Sequence, residues 1–233
     1  MDIKKKLEAV VVAPKGESLT EQAYKTIRSE IITCRLAPAQ KLVISDLVSG
    51  LGFSLGAVRE ALSRLTSEGF VVAETNKGYR VAPITQSDLE DLTRTRILVE
   101  LECLKDAIDH GNLAWEAGIV SSLFELSRTP LSDPEDPDKI NEEWAERHAR
   151  FHSALVAACS SSWLLRIREL LYTQSERYRS VSVPLDRRNR DVNAEHQAIA
   201  DAAIARDKGA IDVALRKHLE LTTRILLESE LSA

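Results

Sequence analysis

Glycine is scarce in this chain, with nine in 233 residues. That leaves little material for loops that wrap an active site. The sequence has no glycine-rich phosphate loop, no GxSxG elbow and no HExxH helix. Catalysis built on those devices is excluded, and the chain is read as a non-enzyme. Cysteine is scarce too. Cys34, Cys103 and Cys159 are an odd set without close spacing, which argues against a disulfide framework and suits a reducing cytoplasm. No apolar run approaches the ~18 residues of a membrane span, so no membrane partner is expected. Near the start, AVVVA at 9–13 follows a basic run but is shorter than the ~7–15-residue core of a secretory signal. Residues 1–17 are therefore expected to form a flexible arm.

What is present is ordinary for a globular protein: 44% hydrophobic and 29% charged residues. The net charge of −5 is unevenly spread. Residues 1–82 carry 12 Lys and Arg against 9 Asp and Glu, a balance of +3, and the remainder, with 19 and 27, a balance of −8. Opposite signs in the two parts point to an N-terminal domain that faces an anion, although chance sampling of surface charge gives the same pattern.

SLTE at 18–21 fits a capping box that opens a helix running to about Arg35. Pro38 breaks it. Ser45 is a good N-cap for a short second helix, and Gly50-Leu51-Gly52-Phe53 makes a tight turn. Ser54 then caps a third helix, whose apolar face is Val58, Ala61, Leu62 and Leu65. Gly69 stands where a helix-terminating glycine belongs. FVVAE and YRVAP, separated by TNKG, read as a hairpin. Three helices, a turn and a hairpin predict a winged helix-turn-helix over 18–83. In that geometry the third helix enters the DNA major groove by its N-terminal end. The expected DNA-binding set is Ser45, Ser54, Leu55, Gly56, Ala57 and Arg59, with Asn76, Lys77 and Gly78 at the wing tip.

The stretch LVISDLVSGLGFSLGAVREALSRLTSEGFVVAETNKGYRV closely resembles the DNA-binding domain of GntR-family transcriptional regulators. The resemblance rests on VREAL at 58–62, on Leu65, Glu68-Gly69, and Gly78 through Val81. It implies double-stranded operator DNA as partner. The chain departs from the pattern at Leu55, where arginine is frequent, at Ala57 in place of proline, and at Cys34 and Ala39 in place of glycines. Loss of an arginine that could grip guanine leaves the operator sequence open.

From Thr85 the pattern becomes helical throughout. A second capping box, Ser87 to Glu90, opens a helix to about His110, followed by helical stretches near 113–128, 139–159, 161–182, 190–206 and 208–231. The expected fold class is mainly α: the winged helix followed by an all-α bundle of about six helices over 84–233. Four of the five histidines fall in this bundle's later helices: His148 and His152 at i and i+4 in HARFH, His196, and His218. Inward-facing histidines on facing helices are how bundles build metal sites. The alternative is ordinary core or surface histidines. Arg96 falls on a partly apolar stripe with Leu92, Val99 and Cys103. A buried arginine needs an anion, either Glu100 one turn on or the carboxylate of an effector. Gln174, Arg177 and Tyr178 continue a line from Ile167 and Leu170 and are further candidates for the same pocket.

RILVE at 96–100, HARFHSAL at 148–155, AEHQAIADAAIARD at 194–207 and ALRKH at 214–218 resemble the FCD domain, the ligand-binding half of the FadR branch of GntR regulators. The resemblance implies a divalent metal held by His148, His152, His196 and His218, beside which an acidic metabolite docks, and a homodimer. His148 stands where the family usually has aspartate. An all-nitrogen set implies Zn or Ni, unless His148 stays unbound and three histidines suffice. LYTQSERYR at 171–179 resembles a subgroup linked to glutarate and aminobutyrate, which implies a small dicarboxylate. The function expected is a cytoplasmic transcriptional regulator, a repressor, controlled by a small carboxylate. The alternative is a metal-responsive regulator, whose DNA affinity would track the metal itself. A metalloenzyme with Glu195 as general base is the third and least supported reading, for want of any hydrolase motif.

Overall fold

The computed structural model describes residues 17–75, 77–136, 139–182 and 190–228. The chain divides into two compact units, residues 1–84 and 85–233, each with its own apolar core. The expected N-terminal arm lies, up to residue 16, outside the described residues.

In the first unit, α1 (Leu19–Ile32) begins where SLTE predicts: Ser18 Oγ accepts the Glu21 N–H at 3.2 Å. It buries Ala23, Tyr24, Ile27 and Ile31, the one-face spacing of a packed helix. It stops short of Arg35 because Cys34 turns the chain with φ +56. Then follow β1 (Lys41–Leu42), α2 (Ile44–Leu51), α3 (Leu55–Ser67), β2 (Val71–Glu74) and β3 (Gly78–Val81). Ser45 is not the cap of α2. Val43 holds that position with extended backbone and no side-chain bond, and Ser45 is the second helical residue, its Oγ 3.3 Å from the Asp46 carboxylate. The cause is β1: its pairing with β3, Leu42 opposite Tyr79, keeps the chain extended up to Val43. α2 ends at Gly52, φ +73, a left-handed conformation that glycine adopts without a Cβ clash.

Ser54 caps α3 by accepting the Ala57 N–H at 3.2 Å. α3 then buries Ala57, Val58, Ala61, Leu62 and Leu65. Arg64 lies 3.6 Å over the Tyr24 ring and pairs with Glu21 at 2.7 Å, while the Tyr24 hydroxyl donates to Glu68 at 2.9 Å. These contacts tie α3 to α1. The sheet has the order β1-β3-β2, antiparallel, with Val71 opposite Val81 in the expected hairpin. The third strand, β1, was not expected: two residues are too short for alternation to show, and only the partner makes them a strand.

The second unit is a bundle of six helices among the described residues: α4 (Gln86–His110), α5 (Leu113–Ser127), α6 (Glu142–Leu155), α7 (Ser162–Ser182), α8 (Val192–Ile204) and α9 (Lys208–Glu228). Thr85 caps α4, accepting the Asp88 N–H at 3.2 Å, so the box expected at Ser87 is displaced by two residues. The core gathers Ile97, Leu101, Leu104, Ile119, Phe151, Leu155, Ile199 and Leu215. Truncating a ring such as Phe151, which has no exposed surface, costs about 3–5 kcal/mol. One buried ionic group crosses this core. Glu100 is bound by Arg168 at 2.9 Å and more loosely by Arg96 at 3.4 Å, which joins α4 to α7.

Candidate functional site

Within the first unit, the outward side of α3 is defined by its buried stripe. At 100° per residue, Gly56 and Ser63 stand opposite that stripe, flanked by Arg59 and Glu60, with Leu55 at the edge. All five are exposed. Leu55 is 50% exposed. Nothing lies within 4 Å of where a Cβ on Gly56 would stand. Ser54 is exposed and its oxygen accepts the capping N–H. Ala57 departs from the expected DNA-facing set: it is buried in the core, because it falls at the start of the apolar stripe. In the wing Lys77 is exposed and Gly78 has φ +90. Asn76 lies outside the described residues.

Within the second unit, His148 and His152 project from adjacent turns of α6, His196 from α8 and His218 from α9. One ligand atom from each of the four lies within 4.8 Å of the others, and all four rings are buried. His148 therefore joins the cluster rather than standing apart. Trp144, one turn before His148, stacks on it at 4.6 Å, and Phe151 meets His196 edge-on at 5.2 Å. Burial, then the nearness of the other cations, pushes each of His148, His152 and His196 well below the ordinary histidine range. His218 is lowered chiefly by burial as well, opposed by its bond to Glu195. Four neutral imidazoles thus face one another. His152 Nε2 and both nitrogens of His196 are buried without a hydrogen-bond partner. Orphaned nitrogens cost free energy when nothing satisfies them, and a divalent cation is what such a donor set fits.

The surrounding groups orient the rings. Glu195 accepts from His218 Nδ1 at 2.7 Å and from Arg190 at 2.8 and 2.6 Å. That leaves Nε2 as the nitrogen His218 offers, the carboxylate–histidine arrangement common behind metal ligands. Burial alone would raise the Glu195 carboxyl, but the Arg190 and His218 bonds hold it down to about 2. His148 Nδ1 lies 3.2 Å from the Tyr172 hydroxyl. Glu195 is thus committed to orienting neighbours, which removes it as a general base.

Beside His148 and His218 lies a cavity of about 70 Å³. Arg96, Arg179 and Arg190 line it, with hydroxyls from Ser175, Thr222 and Thr223. Both partners considered for Arg96 have a counterpart. It sits at 3.4 Å from Glu100, and it also faces the cavity, held by Ser175 at 2.7 Å. Tyr178 lines the cavity and donates to Asp88. Gln174 and Arg177 do not line it. Ile167 and Leu170, through which that line was drawn, are exposed, and Arg177 is buried outside the cavity lining, whereas Ser175, Tyr178 and Arg179 share the cavity-facing side at i, i+3 and i+4. Arg179 and Arg190 escaped the sequence reading. Trp144 carried a usable signal, since it stands four residues before His148 and eight before His152.

Known proteins match this architecture. Residues 19–81 match the family described as bacterial regulatory proteins, gntR family, and residues 91–221 match the FCD domain. The chain is 38% identical over 209 residues to the HTH-type transcriptional regulator BphR of Paraburkholderia xenovorans (strain LB400), covering 90% of this chain and 85% of BphR. It is 34% identical over 200 residues to the HTH-type transcriptional repressor GlaR of Escherichia coli (strain K12), covering 84% of this chain and 90% of GlaR. Among solved structures, E. coli McbR/YncC shares the fold with a TM-score of 0.71 at 20% identity, covering 92% of this chain and 99% of that one. With its winged helix, its helical C-terminal unit and these relatives, the chain belongs to the GntR family, as a DNA-binding transcriptional regulator with an FCD domain and not an enzyme.

Proposed function

We propose that this regulator is a homodimeric repressor whose grip on operator DNA is set by a small carboxylate, a dicarboxylate by preference, bound beside a divalent metal in the FCD domain. The observation that carries this reading is the cluster of four buried, neutral histidines adjoining a cavity lined by three guanidinium groups. His148, His152, His196 and His218 would hold the metal, and the orphaned nitrogens of His152 and His196 fit that role. An all-imidazole set favours Zn or Ni and leaves the ion's positive charge uncompensated. The metal, when bound, supplies a Lewis-acidic positive centre for a carboxylate. The chain's own residues do the rest. Arg190, anchored by Glu195, and Arg96, anchored by Glu100 and Ser175, present cations that are already oriented, so a carboxylate pays little ordering entropy to meet them. The repressor assignment is supported by the relative GlaR, a transcriptional repressor.

On the DNA side, Leu55, Gly56 and Arg59 of α3, with Lys77 and Gly78 of the wing, form the proposed contact face, and Ser45 and Ser54 flank it. A carboxylate can change DNA affinity only through unequal affinity for the DNA-competent and DNA-incompetent forms. The test has two arms. Elemental analysis of tag-free protein should find near-stoichiometric Zn or Ni. Titration of small mono- and dicarboxylates into the protein–operator complex should release DNA with a dicarboxylate most effective. DNA release that follows metal alone, with no carboxylate effect, would favour the metal as the signal. Absence of metal after reconstitution would overturn the site.

A further inference from the structure

We propose that Leu55 reads the C5-methyl group of a thymine in the operator major groove. The proposal rests on α3 being the base-reading helix. Leu55 is the first residue of α3 and is 50% exposed. A recognition helix meets base edges with its N-terminal residues, so this side chain stands where sequence is read. It has no donor or acceptor and cannot answer the hydrogen-bonding atoms of any base. The one apolar group that a base pair shows in the major groove is the thymine methyl. Leucine is therefore matched to a single kind of base edge.

Two neighbours strengthen the case. Gly56 follows directly and has open space where a side chain would be. The backbone of the first turn can thus approach the groove closely, which brings a four-carbon side chain within reach of a methyl group. Ser54 accepts the Ala57 N–H, which holds its oxygen at the cap and leaves only its O–H to donate, a hydrogen that a phosphate oxygen takes as readily as a base. Leu55 is the apolar side chain of this exposed side, and Arg59 lies on the same edge of the helix at i+4. A thymine is therefore expected close to the base or phosphate that Arg59 engages.

The test begins with selection of operator sequences from a random duplex library by the full-length protein. Each thymine of the selected site is then replaced in turn by uracil, which removes the methyl group and keeps every hydrogen-bonding atom. At one position, repeated in each half of a two-fold site, uracil should weaken binding about fourfold, the effect of one buried methyl-sized group. Leu55→Ser should bind thymine and uracil equally there, with its thermal transition unchanged because the residue is outside the core. Leu55→Arg should shift the selected base at that position to guanine. Equal binding of uracil at every position by the wild-type protein would overturn the proposal, as would a uracil penalty that persists in Leu55→Ser. If no sequence is selected at all, α3 is not a base reader, and the underlying DNA reading falls along with this one.

Discussion

Replacing Glu195 with glutamine removes one charge from the most heavily used carboxylate behind the histidine cluster. Glu195 and Arg190 have side chains only 11% and 9% exposed. Glu195 accepts two bonds from Arg190 and one from His218. Holding its carboxyl at about 2 rather than at 4.5 corresponds to about 3 kcal/mol at neutral pH. The sign is that of a lowered carboxyl: the stabilisation is complete above pH 4.5 and is lost as pH falls toward 2. Glutamine keeps the shape and one acceptor oxygen but leaves the Arg190 guanidinium buried without its anion, so a net loss of about 2–3 kcal/mol is expected. In urea denaturation of metal-free protein at pH 7, the C-terminal transition should weaken by that amount, with a melting point about 5–10 °C lower. The amide also ceases to hold the His218 ring as a carboxylate does, so competition against a chelator should show metal affinity lowered about 10–100-fold. A stability change below about 0.5 kcal/mol together with unchanged metal affinity would refute the reasoning.

Metal-free protein should lose stability as pH falls below 6.5, because burial keeps His148, His152 and His196 neutral in the fold while the unfolded chain takes up protons. The slope is about 1.4 kcal/mol per pH unit for each such histidine, and a flat denaturation profile between pH 7.5 and 5.5 would show that they titrate in place. His196→Ala combined with His218→Ala should abolish metal content in elemental analysis; an unchanged content would place the metal elsewhere. Cys34 and Ala39 hold φ values of +56 and +60, so Cys34→Gly and Ala39→Gly should each stabilise the winged helix by about 0.5–1 kcal/mol, read from chemical denaturation. Arg59→Ala should reduce the slope of log affinity against log salt by about one if it meets a phosphate; an unchanged slope would remove it from that contact.

What the residues by themselves determined is what acts over a helical turn or less. The Ser18 and Ser54 caps, the buried stripe from Val58 to Leu65, the glycines at 52 and 69, and the projection of His148 and His152 from one side of a helix all follow from spacing. Each depends on contacts between positions no more than four apart. Only the tertiary structure decided the rest. β1 exists because β3 lies beside it, and that pairing moved the N-cap of α2 from Ser45 back to Val43. The phase of α7 relative to the cavity depends on which side of it packs, so extending the line from Ile167 and Leu170 led to Gln174 and Arg177 while Ser175 and Arg179 held the inward face. Glu195 looked free to act as a base, but His218 of α9 and Arg190, just before α8, occupy it. Convergence of His196 and His218 on the HARFH pair spans up to 70 residues, a separation at which local spacing carries no information and only the path of the packed helices brings side chains together.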